Sequence, residues 1–162
     1  MKITLHHHDW ADALSDIVAE SRSRLSITGL SYLFPNRAAL GPWRQLHSNI
    51  ALAPVRGISV RVMLPAPSSA HPATAQNERT AKQFEQYGVR VQLIAPTKLL
   101  HAKTVLVDDK LACVGSGNWT QAATCHNHEI WTVTDDAAVV AQLRQIHDVI
   151  ARQSVAENGV LK

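Results

Sequence analysis

Only two cysteines, Cys113 and Cys125, occur in the 162 residues. They make neither a disulfide framework nor a zinc-ligand pattern, and nothing in them points to an oxidising compartment. Cys113 lies in the apolar run Leu111-Ala112-Cys113-Val114, where a thiol serves as a small buried hydrophobe, and both thiols are expected to be structural. Long apolar runs are missing as well. No stretch approaches the ~20 residues of a membrane span, and the opening MKITLHHHDW holds no apolar run of signal-peptide length. The expectation is a soluble, cytoplasmic protein without a membrane anchor. Neither sign of charge dominates: 16 Lys and Arg face 13 Asp and Glu, for a net charge of +3. With a pI near 9.1, the chain leans only slightly towards anionic partners. Internal repeats, low-complexity segments and a second domain are absent too.

What is present is ordinary for a globular protein. Apolar residues make up 46% and charged residues 18%, in a length that suits one domain spanning 1–162. Strand-like and helix-like patterns alternate. Residues 2–5 form a short strand. Residues 9–22 carry Trp10, Ala13, Leu14, Ile17 and Val18 at helical spacing, with Asp9 placed to cap them. A strand at 25–30, irregular chain at 31–42 and a helix at 43–54 follow. Ile58, Val60 and Val62 alternate with Ser59, Arg61 and Met63 in a strand at 58–64. Residues 65–78 read as a surface loop running into a helix that ends near Gly88, followed by a strand at 89–94. A hairpin joins 104–107 to 111–114 through Asp108-Asp109-Lys110. A helical turn after Asn118, a strand at 129–134 and a helix at 135–153 complete the order, with a frayed tail. Strands separated by helices predict an α/β sandwich with a central mixed sheet.

The chemistry concentrates in HAKTVLVDDKLACVGSGNWT, residues 101–120. Side chains two apart on a strand project to one face, so His101 and Lys103 converge while Ala102 points away. A histidine transfers protons or attacks as a nucleophile near neutral pH. A lysine beside it supplies a compact cation for phosphate. Gly115-Ser116-Gly117-Asn118 then turns tightly, its small residues letting backbone N–H groups approach an anion while Asn118 adds a side-chain donor. The set is an oxyanion receptor with a nucleophile aimed at it. Trp119 either borders this cleft and stacks a base or opens the core of the next helix, which is the preferred reading. Tyr32 and Phe34 are assigned to the cleft rim. His6-His7-His8 is not read as a metal site, because consecutive residues cannot converge on one ion from a regular strand or helix. Arg37, Arg44, Lys98 and Lys110 either flank a nucleic-acid groove or are solvated surface.

The spacing His101-x-Lys103-x4-Asp108-x6-Gly115-Ser116-x-Asn118 resembles the signature of the phospholipase D superfamily. Six fixed positions arise by chance in such a chain on the order of once in 10⁵ or 10⁶. Asn127-His128-Glu129 is similar to the Asn-x-Glu that follows the signature in the small nuclease members. The resemblance implies a phospholipase D-like α-β-α sandwich holding one half-unit of the site. It makes His101 the nucleophile of a phosphohistidine intermediate, with Lys103 and Asn118 on the non-bridging oxygens and Ser116 supporting them. Glu129 would accept a hydrogen bond from the His101 imidazole and orient it. Asp108, about 23 Å away along an extended strand, is left with a structural role at the hairpin turn.

Phosphodiester cleavage through a covalent intermediate also needs a general acid for the leaving alkoxide. Larger members of the superfamily carry the signature twice, and this chain carries it once. The expectation is a two-fold homodimer with both His101 residues facing one phosphate, active in chelator and without a cofactor. Three functions compete: a metal-independent nuclease, with DNA the foremost substrate; the same chemistry on a phospholipid; and a non-catalytic nucleic-acid-binding module. The intact His, Lys, Asn and Glu set argues against the last.

Overall fold

The computed structural model describes residues 1–36, 41–95, 98–158 and 160–161. In chain order the elements are β1 (Ile3–His6), α1 (Trp10–Ala19), β2 (Arg24–Thr28), α2 (Pro42–Ala51), a 3-10 turn (Ala53–Arg56), β3 (Ser59–Pro65), α3 (Pro72–Glu85), β4 (Arg90–Ile94), β5 (Lys103–Val107), β6 (Leu111–Gly115), α4 (Gln121–Cys125), β7 (Trp131–Thr134), α5 (Ala137–Ala151), β8 (Ser154–Glu157) and β9 (Val160–Leu161). Among the described residues nine strands form one sheet in the order β1-β7-β6-β5-β2-β3-β4-β8-β9. The central pairs β2–β3 and β3–β4 are parallel, and every other pairing is antiparallel. This is the mixed α/β sheet that the alternating pattern predicts.

Period-2 alternation divides the core between the two faces. Val60, Val62 and Leu64 of β3 join Leu25, Ile27, Val105 and Val107 beneath α1, α2 and α3. On the opposite face, Leu106 and Ala112 meet Val140 and Leu143 of α5, and Met63 and Ile94 meet Leu100. Trp10, Leu14 and Val18 lie one turn apart on α1 and are buried together.

Three expectations are corrected. The chain after α5 is not frayed: β8 pairs with β4 and β9 with β8, satisfying backbone groups that would otherwise form an open edge. The loop after β3 is shorter than expected, because Pro72 starts α3 at the position where its missing N–H costs nothing. Asp9 precedes α1 but makes no side-chain cap. Its carboxylate instead accepts from His6 Nδ1 at 2.8 Å and from the His7 backbone N–H at 3.2 Å.

Two packing features tie the sheet to the segment 101–120. The first is aromatic. Trp131 stacks on Trp10 with ring centroids 5.3 Å apart and lies 5.2 Å from Trp119, all three almost wholly buried. The Trp131 ring covers the backbone of Gly115, where a Cβ would come within 2.2 Å of Trp131 Cδ2. A Cβ at Gly117 would stand 3.0 Å from Trp131 Nε1.

The second is polar. His147 is completely buried between sheet and α5, with Nδ1 2.9 Å from Ser26 Oγ and Nε2 2.7 Å from Thr104 Oγ1. Thr104 Oγ1 meets Thr28 Oγ1 at 2.7 Å, and Thr28 donates to the carbonyl of Ala102 at 3.0 Å. That last donation sets the sense of the whole chain: Thr104 gives its proton to Thr28, Nε2–H gives to Thr104, and Nδ1 accepts from Ser26. Ser26 Oγ is itself the acceptor for Arg61 Nε and Nη2. A neutral imidazole fits this chain and an imidazolium does not. Burial, then the Arg61 charge, lower the His147 pKa to about 4 against the counter-pull of Asp148. His47, whose Nδ1 lies 2.9 Å from the buried Tyr32 hydroxyl, is lowered to about 4 by burial and then by Arg44.

The unfolded chain protonates these two histidines from about 6.5 downwards, before the folded chain can. Their contribution to stability is complete above pH 6.5 and is lost as pH falls towards 4, by on the order of 3 kcal/mol per imidazole. Urea unfolding across that window should report uptake of about two protons on unfolding, and about one in His147→Gln. A second prediction concerns the tryptophan contact. Gly115→Ala should lower stability by roughly 1–3 kcal/mol or more, read as a shift in the urea midpoint, because neither Trp131 nor the β6 backbone has room to withdraw.

Candidate active site

β5 begins at Lys103, so His101 and Ala102 lie in the segment that leads into the strand. The expected convergence is present: Lys103 Nζ stands 3.0 Å from His101 Nδ1 and 3.2 Å from its Nε2. Their environments differ sharply, with Lys103 at 4% exposure and His101 exposed. Burial lowers the Lys103 pKa, and the nearby Glu129 carboxylate works against that shift. Bond by bond, the polar chain from His147 ends on Ala102, between the two residues. It fixes the backbone from which both side chains project.

The residues of the next turn arrive through strand register. Lys103 pairs with Gly115, and Gly115 with Trp131, so β5, β6 and β7 bring the three into one row. Ser116 Oγ donates to Glu129 Oε2, and Asn127 Nδ2 donates to Glu129 Oε1 at 3.0 Å. Ser116 Oγ also accepts from the Ile130 backbone N–H at 3.1 Å. Both oxygens of Glu129 are thereby engaged, and the expected hydrogen bond from His101 to Glu129 is not among those the described residues make. Glu129 is buried near Lys103 and orders Ser116. Asn118 is half-buried, and its Oδ1 is buried with no partner among the described residues.

The turn keeps part of the backbone cradle that its glycines suggest, since the N–H groups of Gly117 and Asn118 have no backbone partner among the described residues. The Ser116 N–H donates to the Ile130 carbonyl and the Trp119 N–H to the Ser31 carbonyl, so neither is available to an anion. Gly115 and Gly117 are absent from the positive-φ residues among the described positions. Their smallness answers the Trp131 ring. Trp119 is fully buried, with its indole Nε1–H donating to the Thr28 carbonyl at 2.8 Å. It cannot stack a base, so the preferred core reading holds and the alternative place among the substrate-binding residues is corrected. Tyr32 is likewise fully buried rather than at a rim, and Phe34 packs against His47 and Phe84.

Asp108 lies at the other end of β5. Its carboxylate accepts from the backbone N–H groups of Arg22, Ser23 and Arg24 at 2.8, 2.8 and 2.9 Å, and from Ser23 Oγ at 2.8 Å. Burial raises its pKa, but these donors outweigh burial and hold it below the ordinary value. Asp108 and Asp109 turn the hairpin with φ of 53° and 54°, a region Asp enters more readily than most residues. Asp108 thus binds the hairpin turn to the segment entering β2 rather than to itself.

The basic residues do not form one groove. Lys98 is near His101, Lys110 is at the far turn of the hairpin, Arg44 is on α2, and Arg37 lies outside the described residues. Cys113 is buried, with its thiol pushed up to about 12, while Cys125 is exposed at the end of α4. No helix among the described residues is long and apolar enough to cross a membrane. The sequence reading missed the relay through Thr28, Thr104 and His147. Its one detectable signal is that His147 follows Val140 and Leu143 on the buried stripe of α5.

The family model described as "Cardiolipin synthase, PLD-like domain" matches residues 17–150. Cardiolipin synthase A of Pseudomonas entomophila (strain L48) is 32% identical over 105 residues, 65% of this chain but 22% of that protein. The chain thus spans about a fifth of the length of the curated relatives it matches. Among solved structures, a phospholipase D family member, Nuc from Salmonella typhimurium, is similar with a TM-score of 0.75 at 13% identity, over 94% of this chain and 95% of Nuc. NucT from Helicobacter pylori gives 0.73 at 19% identity, over 94% and 97%. Phosphatidylserine synthase from Haemophilus influenzae Rd KW20 gives 0.71 at 17%, over 94% of this chain and 39% of that one. Motif, sheet order and a family match over most of the residues lead to one assignment: the chain belongs to the phospholipase D-like family.

Proposed function

We propose that the chain, acting as one domain, is a metal-independent phosphodiesterase that cleaves nucleic acid, DNA foremost, at a site shared by two copies. The observation that carries this reading is the exposed His101 imidazole beside the buried Lys103 ammonium, in a chain with a single signature. The nitrogen lone pair of His101 attacks phosphorus, the bond from phosphorus to the leaving oxygen breaks, and the partner's His101 gives that alkoxide its proton. The partner's His101, now neutral, then takes a proton from water. The resulting hydroxide displaces the phosphohistidine and restores His101.

Lys103 and Asn118 from both copies hold the non-bridging oxygens, which supplies the charge that a metal ion supplies elsewhere. A phosphate also gives Lys103 a counter-charge for its burial. Asn118, with an unpartnered buried Oδ1, is a side chain whose polar groups the rest of the fold does not consume. Glu129 and Ser116 act by ordering the wall behind Lys103.

Nuc and NucT, whose fold is similar over 94% of this chain with TM-scores of 0.75 and 0.73, support nucleic acid as the substrate. The chain also resembles the stand-alone nucleases of the superfamily in carrying one signature. A specific observation supports a second reading, phosphatidyl transfer or phospholipid hydrolysis: cardiolipin synthases are the relatives at 30–32% identity.

Nicking of supercoiled plasmid in excess EDTA, with oligomeric state read by light scattering, tests the proposal. The expected result is cleavage by a dimer that falls about 10³-fold or more in His101→Ala, as loss of a catalytic nucleophile should. A dimer that leaves DNA and RNA intact but turns over phosphatidylglycerol vesicles would establish the second reading. An inactive, stably folded monomer would overturn the shared site.

A further inference from the structure

The run His6-His7-His8 is not used by the reaction at His101, and its geometry differs from what a regular strand would impose. β1 ends at His6, and residues 7–9 bend and turn into α1. Successive side chains at a bend are not forced to opposite sides as they are on a strand. The rings of His7 and His8 lie 3.8 Å apart. A third imidazole reaches them from the α4–β7 loop: His128 stacks on His7 with centroids 5.3 Å apart and planes at 16°, and is 5.7 Å from His8. One nitrogen from each of the three lies within 4.8 Å of the others.

We propose that His7, His8 and His128 form a binding site for a divalent transition-metal ion of the zinc class. Three imidazoles with no oxygen ligand suit zinc, copper or nickel and not the hard cations calcium and magnesium. Around a tetrahedral ion with metal–nitrogen bonds of about 2.0–2.1 Å, ligand nitrogens stand roughly 3.3 Å apart. His7 Nε2 and His128 Nδ1 are 3.2 Å apart. His8 completes the triangle by a rotation about its side-chain bonds, which an exposed ring makes at little cost. Water or an incoming donor takes the fourth position, as in zinc sites with three protein ligands.

Two features support this beyond proximity. All three rings are exposed, so none is held in the cluster by core packing. The backbone on each side is anchored by other groups. Asp9 binds His6 Nδ1 and the His7 N–H, and Asn127 next to His128 is bonded to Glu129 and, through its N–H, to the Ala122 carbonyl. These contacts fix the backbone from which the His7 and His128 rings project. An ion here would clip the edge strand β1 to the loop before β7, at the end of the sheet where His6 pairs with Trp131 and Trp131 with Gly115. That end also holds Lys103, about three strand spacings or ~14 Å across the row.

The inference is independent of the phosphodiesterase proposal, and its test does not use that activity. Tag-free protein is stripped with chelator, dialysed and titrated with zinc chloride near neutral pH by calorimetry, with Tm followed in parallel. One zinc ion per chain and a zinc-dependent rise in Tm are expected. Calcium should produce neither. His128→Ala, and separately the His7→Ala, His8→Ala pair, should weaken binding by at least the roughly 10- to 100-fold that loss of an outer contact costs and abolish the Tm rise. His126→Ala, next in the loop but outside the cluster, should bind as the wild type does. Absence of stoichiometric binding in the wild type, or binding unchanged in His128→Ala, would overturn the proposal.

Discussion

The contact on which the candidate site depends is the one between a tryptophan ring and a glycine backbone. Trp131 occupies the space that any side chain at Gly115 would need. This lets β6 and β7 close together with the Trp10 and Trp119 rings packed around them. With that contact made, Ser116 follows Gly115 into reach of Glu129, and Glu129 is brought behind Lys103. The glycines of the signature therefore serve packing first. The N–H groups of Ser116 and Trp119 already have partners, while those of Gly117 and Asn118 have no backbone partner among the described residues.

A second constraint acts from the opposite face of the sheet. His147 on α5 holds Thr104, Thr104 holds Thr28, and Thr28 holds the carbonyl between His101 and Lys103. Each hydroxyl in the chain both donates and accepts, so the chain runs in one sense and has no spare proton site. A buried network satisfied in this way is rigid. It gives an exposed imidazole and a buried ammonium a common, fixed base, which a loop resting only on its own contacts would not have. Asp108 does comparable work at the other end of the hairpin, where three backbone N–H groups of the segment entering β2 converge on it.

Much of this was legible in the residues. The strand and helix order follows from periodicity, and the mixed sheet follows from that order. The convergence of His101 and Lys103 comes from a two-residue spacing at the entrance to β5, which depends only on local geometry. Of the two readings of Trp119 the preferred one, a core residue, holds, because Thr28 and Trp131 enclose the ring. Where reading failed, a contact that no periodic pattern records decided the outcome. Glu129 was assigned to His101, yet Ser116 and Asn127 reached its oxygens. The end of the chain, too short and too exposed to show a pattern, became β8 because β4 had an unpaired edge.

By itself the sequence determined the family signature, the order of elements and the pairing of an imidazole with a cation two residues away, since each rests on short-range spacing or on a periodic pattern. Tertiary structure alone decided which polar groups were already spent. It also brought His128 beside His7 and His8 and attached His147 to the backbone at Ala102. Those outcomes depend on strand register and on helix placement, where residues more than 40 positions apart compete for the same few hydrogen bonds, and no local pattern records which of them wins.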